Sequence, residues 1–288
     1  MAKRIRLTAQ DDLQRAIDAA APGSTLLLAP GVYRQKLMLR TPNLQIEGAG
    51  ADKTMLIWDD YAKKLHADGQ EYNTFRTYTM AVCADNIVMR NLSIVNDAKQ
   101  PEQKGQEVAL SVLGDHFAME DCRLSSTQDT LFAGPLPPDL IARYENFLID
   151  PLRAPGPSSQ RYARCLIEGS VDFIFGCADA MFDGCEIRSV YDVRQVGYVA
   201  APAHSLTQTK GLHFRHCRFT CEPGVLPGSI YLARPWRDHG IAVFESCWYG
   251  PHIAKAGFDK WNDTDRDRTA RFYESPCVPG RVPWVRAL

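Results

Sequence analysis

Charge of one sign, long apolar runs and paired cysteine motifs are all missing from this 288-residue chain. Its 33 Lys and Arg offset 34 Asp and Glu for a formal net charge of −1, so no global field recruits nucleic acid or an anionic membrane surface. No apolar stretch of about 20 residues is present to cross a bilayer. The basic start MAKRIRLTAQ is not followed by the apolar segment of a secretory leader. Read as a complete chain, the sequence is expected in the cytoplasm; a chain whose leader had been removed would read the same. The nine cysteines are odd in number and form no Cys-x-x-Cys pair, which argues against a disulfide framework. His213, His216 and Cys217 lack a second ligand pair at zinc-like spacing, so neither a metal nor a cofactor is expected. The oligomeric state leaves no trace in the sequence.

Helical periodicity is also scarce. Residues 10–21, QDDLQRAIDAAA, offer Asp11 and Asp12 as caps and place Leu13, Ala16, Ile17 and Ala20 on one face, predicting a short amphipathic helix. Pro22-Gly23 ends it. Thr25–Leu28 and Lys36–Leu39 then read as strands either side of a turn at Pro30-Gly31, and short strands follow almost to the end.

What the chain does have is a recurring phrase. It runs Met89–Ile94, Met119–Leu124, Tyr162–Ile167, Phe182–Ile187, Phe214–Phe219 and Phe244–Tyr249, with the fourth position recurring after 30, 43, 20, 32 and 30 residues. Such spacings mean a solenoid. Strand runs broken by Asn, Asp and Gly favour a right-handed parallel β-helix, all-β and a single domain over 1–288, rather than a leucine-rich horseshoe. Five of the six phrases carry a cysteine at the fourth position, Cys122, Cys165, Cys185, Cys217 and Cys247. A ladder of small, buried, reduced thiols is the reading, since free Cys behaves as a compact hydrophobe. Residues 133–160, rich in Pro and Gly, interrupt the repeat as a long inserted loop for which function or mobility is suspected. The tail from residue 250 is expected to pack along the solenoid without adding coils.

Chemistry gathers around Asp172, a single carboxylate in the apolar run Val171–Gly176. Burying it costs several kcal/mol unless it is paired or at work. Asp129, followed by Thr130, Leu131 and Phe132, and Arg234, followed by Pro235 and Trp236, are candidate partners. A carboxylate in an apolar strand commonly serves only as a structural charge tied to an Arg or to turn amides. A Gln beside a strand is commonly a rung of the ladder, and an isolated aromatic is commonly core.

Four stretches taken in order change that balance: Gln106–Leu110, Gln128–Leu131, Gly169–Gly176 and Leu232–Trp236. Together they resemble the signature motifs of the pectin methylesterases (pectinesterases, carbohydrate esterase family 8). Gly31-Val32-Tyr33 and Gly257-Phe258 to Trp261 resemble the family's outer landmarks, so the likeness spans nearly the whole chain. The resemblance implies a β-helix with a cleft along one face. It also implies hydrolysis of C6 methyl esters in methyl-esterified homogalacturonan or oligogalacturonides, giving methanol and acid. Asp172 matches the family's nucleophile, Asp129 its general acid and base, Gln106 and Gln128 its oxyanion amides, and Arg234 the residue that orients the nucleophile. Phe132, Val171, Phe175 and Trp236 fall on positions that hold sugar rings. The chain departs from the pattern with Ala233 in place of Gly, Glu107 in place of Ala, Gln35 in place of Glu and Phe258 in place of Trp, and none of these removes a chemical group.

Two carboxylates in unlike surroundings suit ester hydrolysis, one ionised to attack and one protonated to release methanol. Arg234 is expected to keep Asp172 charged, while apolar surroundings and the neighbouring charge keep Asp129 protonated. Two other functions compete. A polygalacturonase-like glycosidase needs two acids with a water between them and has no use for paired glutamines. A silent carbohydrate-binding solenoid would not need the Asp-Asp-Arg set. The loop at 133–160, with its ends in the coils that carry the two aspartates, is expected to wall off one end of the cleft.

Overall fold

The computed structural model describes residues 3–98 and 105–288. Its strands form three parallel sheets of eleven, seven and eight strands, and each coil of chain contributes a strand to more than one of them. This is the parallel β-helix expected. The recurring phrase is one corner of each coil. Its first half ends a strand of the eleven-stranded sheet and its second half begins a strand of the eight-stranded sheet.

Each position of the phrase has a physical task. The third, Asn91, Asp121, Arg164, Gly184, His216 or Ser246, takes φ between 52° and 61°. Gly, Asn and Asp enter this left-handed region most readily, and it lets the chain turn the corner within one residue. The first position points into the core. Tyr162, Phe182, Phe214 and Phe244 stack face to face with centroids 4.8, 4.7 and 4.9 Å apart, which is the spacing of neighbouring strands. The fourth is the cysteine ladder. Cys165, Cys185, Cys217 and Cys247 each donate a thiol hydrogen bond to the carbonyl of the phrase's first residue one coil earlier, Met119, Tyr162, Phe182 and Phe214. All nine cysteines are free.

The helix α1 (Leu13–Ala19) is capped by Asp12, whose side chain accepts from the Arg15 N–H. Leu13 and Ile17 are fully buried in the solenoid core, which α1 covers at the first coil. Gln35, one of the departures noted above, accepts from the Leu13 N–H at 2.9 Å and so serves an otherwise unpaired donor of the first turn.

Two expectations are corrected. The turn at Pro30-Gly31 opens a further strand, Gly31–Arg34, paired with Thr54–Trp58. The tail does more than lie along the solenoid: Arg271–Ser275 stacks in register on Ile241–Glu245 and lengthens the eleven-stranded sheet. Its alternating Phe272 and Glu274 both point inward. Phe272 joins the core, and buried Glu274 is held by the guanidinium of Arg281 at 2.9 Å.

The interruption at 133–160 is also more ordered than a loop. It contains a short helix, α2 (Pro138–Arg143), and a 3₁₀ turn over Asp150–Leu152. Proline within the first turn suits a helix start, where its missing N–H costs nothing. Leu136, Leu140, Leu148 and Leu152 are buried against the outer face of the seven-stranded sheet, on Met38, Ala81, Phe132, Phe175 and Ala201. The solenoid therefore has a second, external core, and it lies beside the site described next.

Candidate active site

The seven-stranded sheet brings distant residues together by stacking them. Gln128 bridges Val171, Leu131 pairs with Ile174, and the Asp129 N–H donates to the Val171 carbonyl at 3.1 Å. Asp129 and Asp172 therefore hold equivalent places on neighbouring rungs. Both lie in the left-handed region, at φ 61° and 48°, a conformation that costs a non-glycine residue about 1–3 kcal/mol. The strand carrying Asp172 slips register between Val171 and Ile174 against the next rung. Such an irregularity turns a side chain from the sheet face toward a cavity.

Arg234 reaches Asp172 from two rungs further on. Its Nε and Nη2 donate to the two carboxylate oxygens at 2.8 and 2.7 Å, the bidentate fork that fixes a carboxylate in one plane. The guanidinium lies between the rings of Tyr198 and Trp261, 3.7 and 4.1 Å from their centroids. Charge, hydrogen bonds and stacking thus hold Arg234, and Arg234 holds Asp172.

The two carboxyls differ in their proton affinity. Burial, and then the neighbouring Asp172 charge, hold Asp129 well above the usual carboxylate range, against a hydrogen bond from the Gln128 side chain. Burial also raises Asp172, but both the hydrogen bonds and the charge of Arg234 oppose it. The expectation that Arg234 simply lowers Asp172 is refined: desolvation outweighs it, and the order of the pair stands, with Asp129 the stronger holder of a proton.

Around them is a cavity of about 500 Å³, lined by Gln106, Gln128, Asp129, Asp172, Phe175, Arg234 and Trp236 among the residues expected from the sequence. Val171 and Phe132 are not on its wall. Val171 is buried and contributes its carbonyl to Asp129. Phe132 is 1% exposed, packed between Phe75 and Phe175 at 5.0 Å from each. Its side chain lies on the outer face of the sheet, where the 136–152 segment covers it, so Phe132 supports Phe175 and does not itself reach the cavity. Trp236 packs edge-on against Phe175 at 5.7 Å. A larger groove of about 900 Å³ shares Arg237 with this cavity but lacks the carboxylate pair.

Several lining residues were not legible in the sequence as parts of a site: Thr74, Phe75, Arg143, Tyr144 and Arg237. Trp261 was recognised only as a landmark. Behind the wall stands Arg194, whose Nη1 donates to Gln128 Oε1 at 2.9 Å. That bond turns the amide so that its N–H₂ faces Asp129. Arg194 is fixed in turn by Asp192, which accepts from Ser170. Burial raises Asp192, but Arg194 and Ser170 bring it down to about 2. Arg194 lies in a polar connection without periodicity, so no sequence pattern marks it. Among the described residues no group of His, Cys, Asp and Glu is placed to hold a metal.

Comparison with known proteins identifies the family and the fold. The pectinesterase family model matches residues 7–135 and 156–278. Pectinesterase 31 of Arabidopsis thaliana is 30% identical over 96% of this chain and 83% of its own length. Among solved structures, pectin methylesterase PemA from Erwinia chrysanthemi superposes with a TM-score of 0.80 at 24% identity, covering 100% of this chain and 92% of its own. A pectin methylesterase in complex with a hexasaccharide gives the same values. The parallel β-helix is therefore shared with these structures, and on the family match the chain belongs to the pectinesterases, enzymes that remove methyl esters from pectin.

Proposed function

We propose that Asp172 is the nucleophile and Asp129 the acid and base of this pectinesterase, with Gln106 and Gln128 as donors to the oxyanion. The observation that carries the assignment is the contrast within one cavity. One carboxylate is clamped by a bidentate guanidinium, and the proton affinity of the other, a rung away, is raised by burial and by its neighbour's charge.

In the first step an oxygen of Asp172 attacks the ester carbonyl carbon. The carbonyl oxygen becomes an oxyanion that accepts from side-chain amides, and one such donor is typically worth about 10²–10³ in turnover. The C–O bond to methoxide then breaks. Asp129 gives its proton to that oxygen, and methanol leaves an acyl-enzyme anhydride on Asp172. Asp129, now ionised, takes a proton from water as the water attacks the anhydride. The galacturonic acid departs and loses its proton to solvent, and both aspartates return to their starting states. Neutral amides suit this sequence, because a cation at that place would hold the anionic product. Arg234 acts through Asp172 and is a positioning residue.

The substrate class is methyl-esterified galacturonan or its oligosaccharides. Phe175, Trp236, Trp261 and Tyr144 line the cavity, and such rings supply the apolar faces on which sugar rings lie. A hexasaccharide bound to a related esterase is in keeping with this. The test is methanol release from highly methylated pectin and from short methylated oligogalacturonides, alongside new reducing ends. Methanol without new reducing ends is the expected result; reducing ends without methanol would point to a glycosidase.

A further inference from the structure

We propose that the segment 136–152 roofs the active cleft at its amino-terminal end, so that a galacturonan chain enters only by a terminus and loses its methyl esters from that terminus inward. This rests on the pectinesterase reading and adds to it the place on the sugar chain where the reaction occurs.

Two banks flank the outer face of the seven-stranded sheet. One is built from segments that lead into its strands, such as 59–79 before Met80–Val82. The other is built from segments that leave them, such as 134–158 after Leu131–Ala133. Asp139 and Arg237 both follow their strands, so their ion pair at 2.7 Å runs along the second bank. Tyr144 and Phe147 instead reach across to the first. The Tyr144 hydroxyl donates to Asn73 Oδ1 at 3.2 Å. The Arg76 guanidinium lies 3.6 Å from the centroid of the Phe147 ring, and its Nε donates to the Phe147 carbonyl at 3.1 Å. Asp68 holds that guanidinium in place at 2.6 Å.

Burial marks where this roof lies. Ala81 stands between the core residues Met80 and Val82 and so points out of the sheet, yet it is 0% exposed; Met38, one strand further, is 6% exposed. Both pack with Phe75 and Leu148 in the external core, whereas an open cleft would leave this floor free for substrate. The strand Met80–Val82 is two before the one that Asp129 leads into, which leaves about 10 Å of cleft between that aspartate and the roof. In the opposite direction the cavity runs past Asp172 and Arg234 to the half-buried Trp261, and beyond Arg234 no ion pair among the described residues ties the banks together. A polymer lying across the catalytic pair would have to pass through the roof; a chain end would not. The family match stops at residue 135 and resumes at 156, so the roof is this chain's addition to the shared frame.

The test measures methanol release by the full chain on highly methylated galacturonans of two lengths, at one concentration of ester groups below saturation. A chain about tenfold longer offers about a tenth of the termini, so the wild-type rate per ester is expected to fall about tenfold. Equal rates on both lengths would mean attack at any position and would overturn the proposal. Asn73→Gly combined with Arg76→Ala removes the polar ties of the roof; position 73 has φ 55°, which Gly adopts freely, and neither residue lines the cavity. With its fold checked by circular dichroism, this variant is expected to keep its rate on the short chain and to gain about fivefold on the long one. A folded variant with the length dependence of wild type would show that the roof does not exclude polymer, and would overturn the proposal; if the variant does not fold, the wild-type comparison decides. Release of methanol from neither length would instead overturn the esterase reading beneath it.

Discussion

Asp129 sits one rung from Asp172 in the same register, its N–H bonded to the carbonyl of Val171, and Arg234 holds only one member of the pair. The solenoid brings such a pair together by its geometry alone, since stacked rungs place side chains about 4.8 Å apart along the axis. The asymmetry comes from Arg234. Without it, two buried carboxylates in one cavity would compete for a single proton on equal terms.

Stability should reveal which aspartate is protonated. Asp129 has a folded-state proton affinity well above its unfolded value, so the native state binds more protons than the unfolded one. Its contribution to stability is full below the unfolded pKa of about 3.9 and is lost as pH rises through the raised folded value. Asp129→Asn removes that loss. The variant is expected to be inactive yet to melt higher than wild type at neutral pH, with the gain shrinking as pH falls toward 4. A variant that melts lower at neutral pH would contradict the protonated state of Asp129.

Replacing Arg234 by Lys keeps a charge but removes the fork. On the proposed mechanism Asp172 attacks as an anion, so activity is expected to fall as pH drops through its pKa, which already lies above the usual value because of burial. In Arg234→Lys the acidic limb of the pH–rate profile is expected to move to higher pH. At the plateau kcat should fall by up to about 10²-fold, the cost of a misplaced nucleophile. An unmoved acidic limb would show that Arg234 does not govern Asp172.

The thiol ladder predicts a count and an order of reaction. Denatured under non-reducing conditions, the chain should titrate nine thiols. In the native state Cys277, which is exposed, should react first. Burial pushes Cys122 up to about 12. Cys185 and Cys217, hydrogen-bonded along the ladder and buried, also stand at about 12. These thiols should stay unreactive until unfolding. Ladder cysteines found paired by mass mapping would overturn this arrangement.

Shortening the 133–160 segment is a poor way to test its effect on the cleft, because it would bare Met38, Ala81, Phe132 and Phe175 on the outer sheet face. A point change separates anchoring from gating. Leu148 is buried in that external core and does not line the active cavity. Leu148→Ala is expected to cost about 2–5 kcal/mol in denaturant unfolding. A cost within about 0.5 kcal/mol, the range of a surface substitution, would mean that the segment is not anchored as described.

The phrase from Met89 onward, with its recurring corner and cysteine, was legible because stacking repeats the same side-chain task on every coil. Asp129, Asp172 and Arg234 drew notice as charges in apolar strands, and only the four ordered motifs around them set them apart from structural charges. Three things were hidden for physical reasons. Arg194 acts from a polar connection where no periodicity exists. Phe132 reads like any aromatic beside a catalytic motif, and only the packing of Leu136, Leu140 and Leu148 over the sheet decides which way it faces. The segment holding α2 looked like a loop because Pro135, Pro137 and Pro138 dominate its start, yet those prolines frame a helix whose leucines need the sheet to bury them.

The most direct test of the central claim is methanol release by Asp172→Asn on methylated oligogalacturonides, beside wild type and with the fold checked by circular dichroism. An amide cannot attack the ester, so wild type should release methanol while the folded variant releases none above background. A folded Asp172→Asn enzyme that keeps more than a few per cent of wild-type turnover would contradict the assignment of Asp172 as the nucleophile.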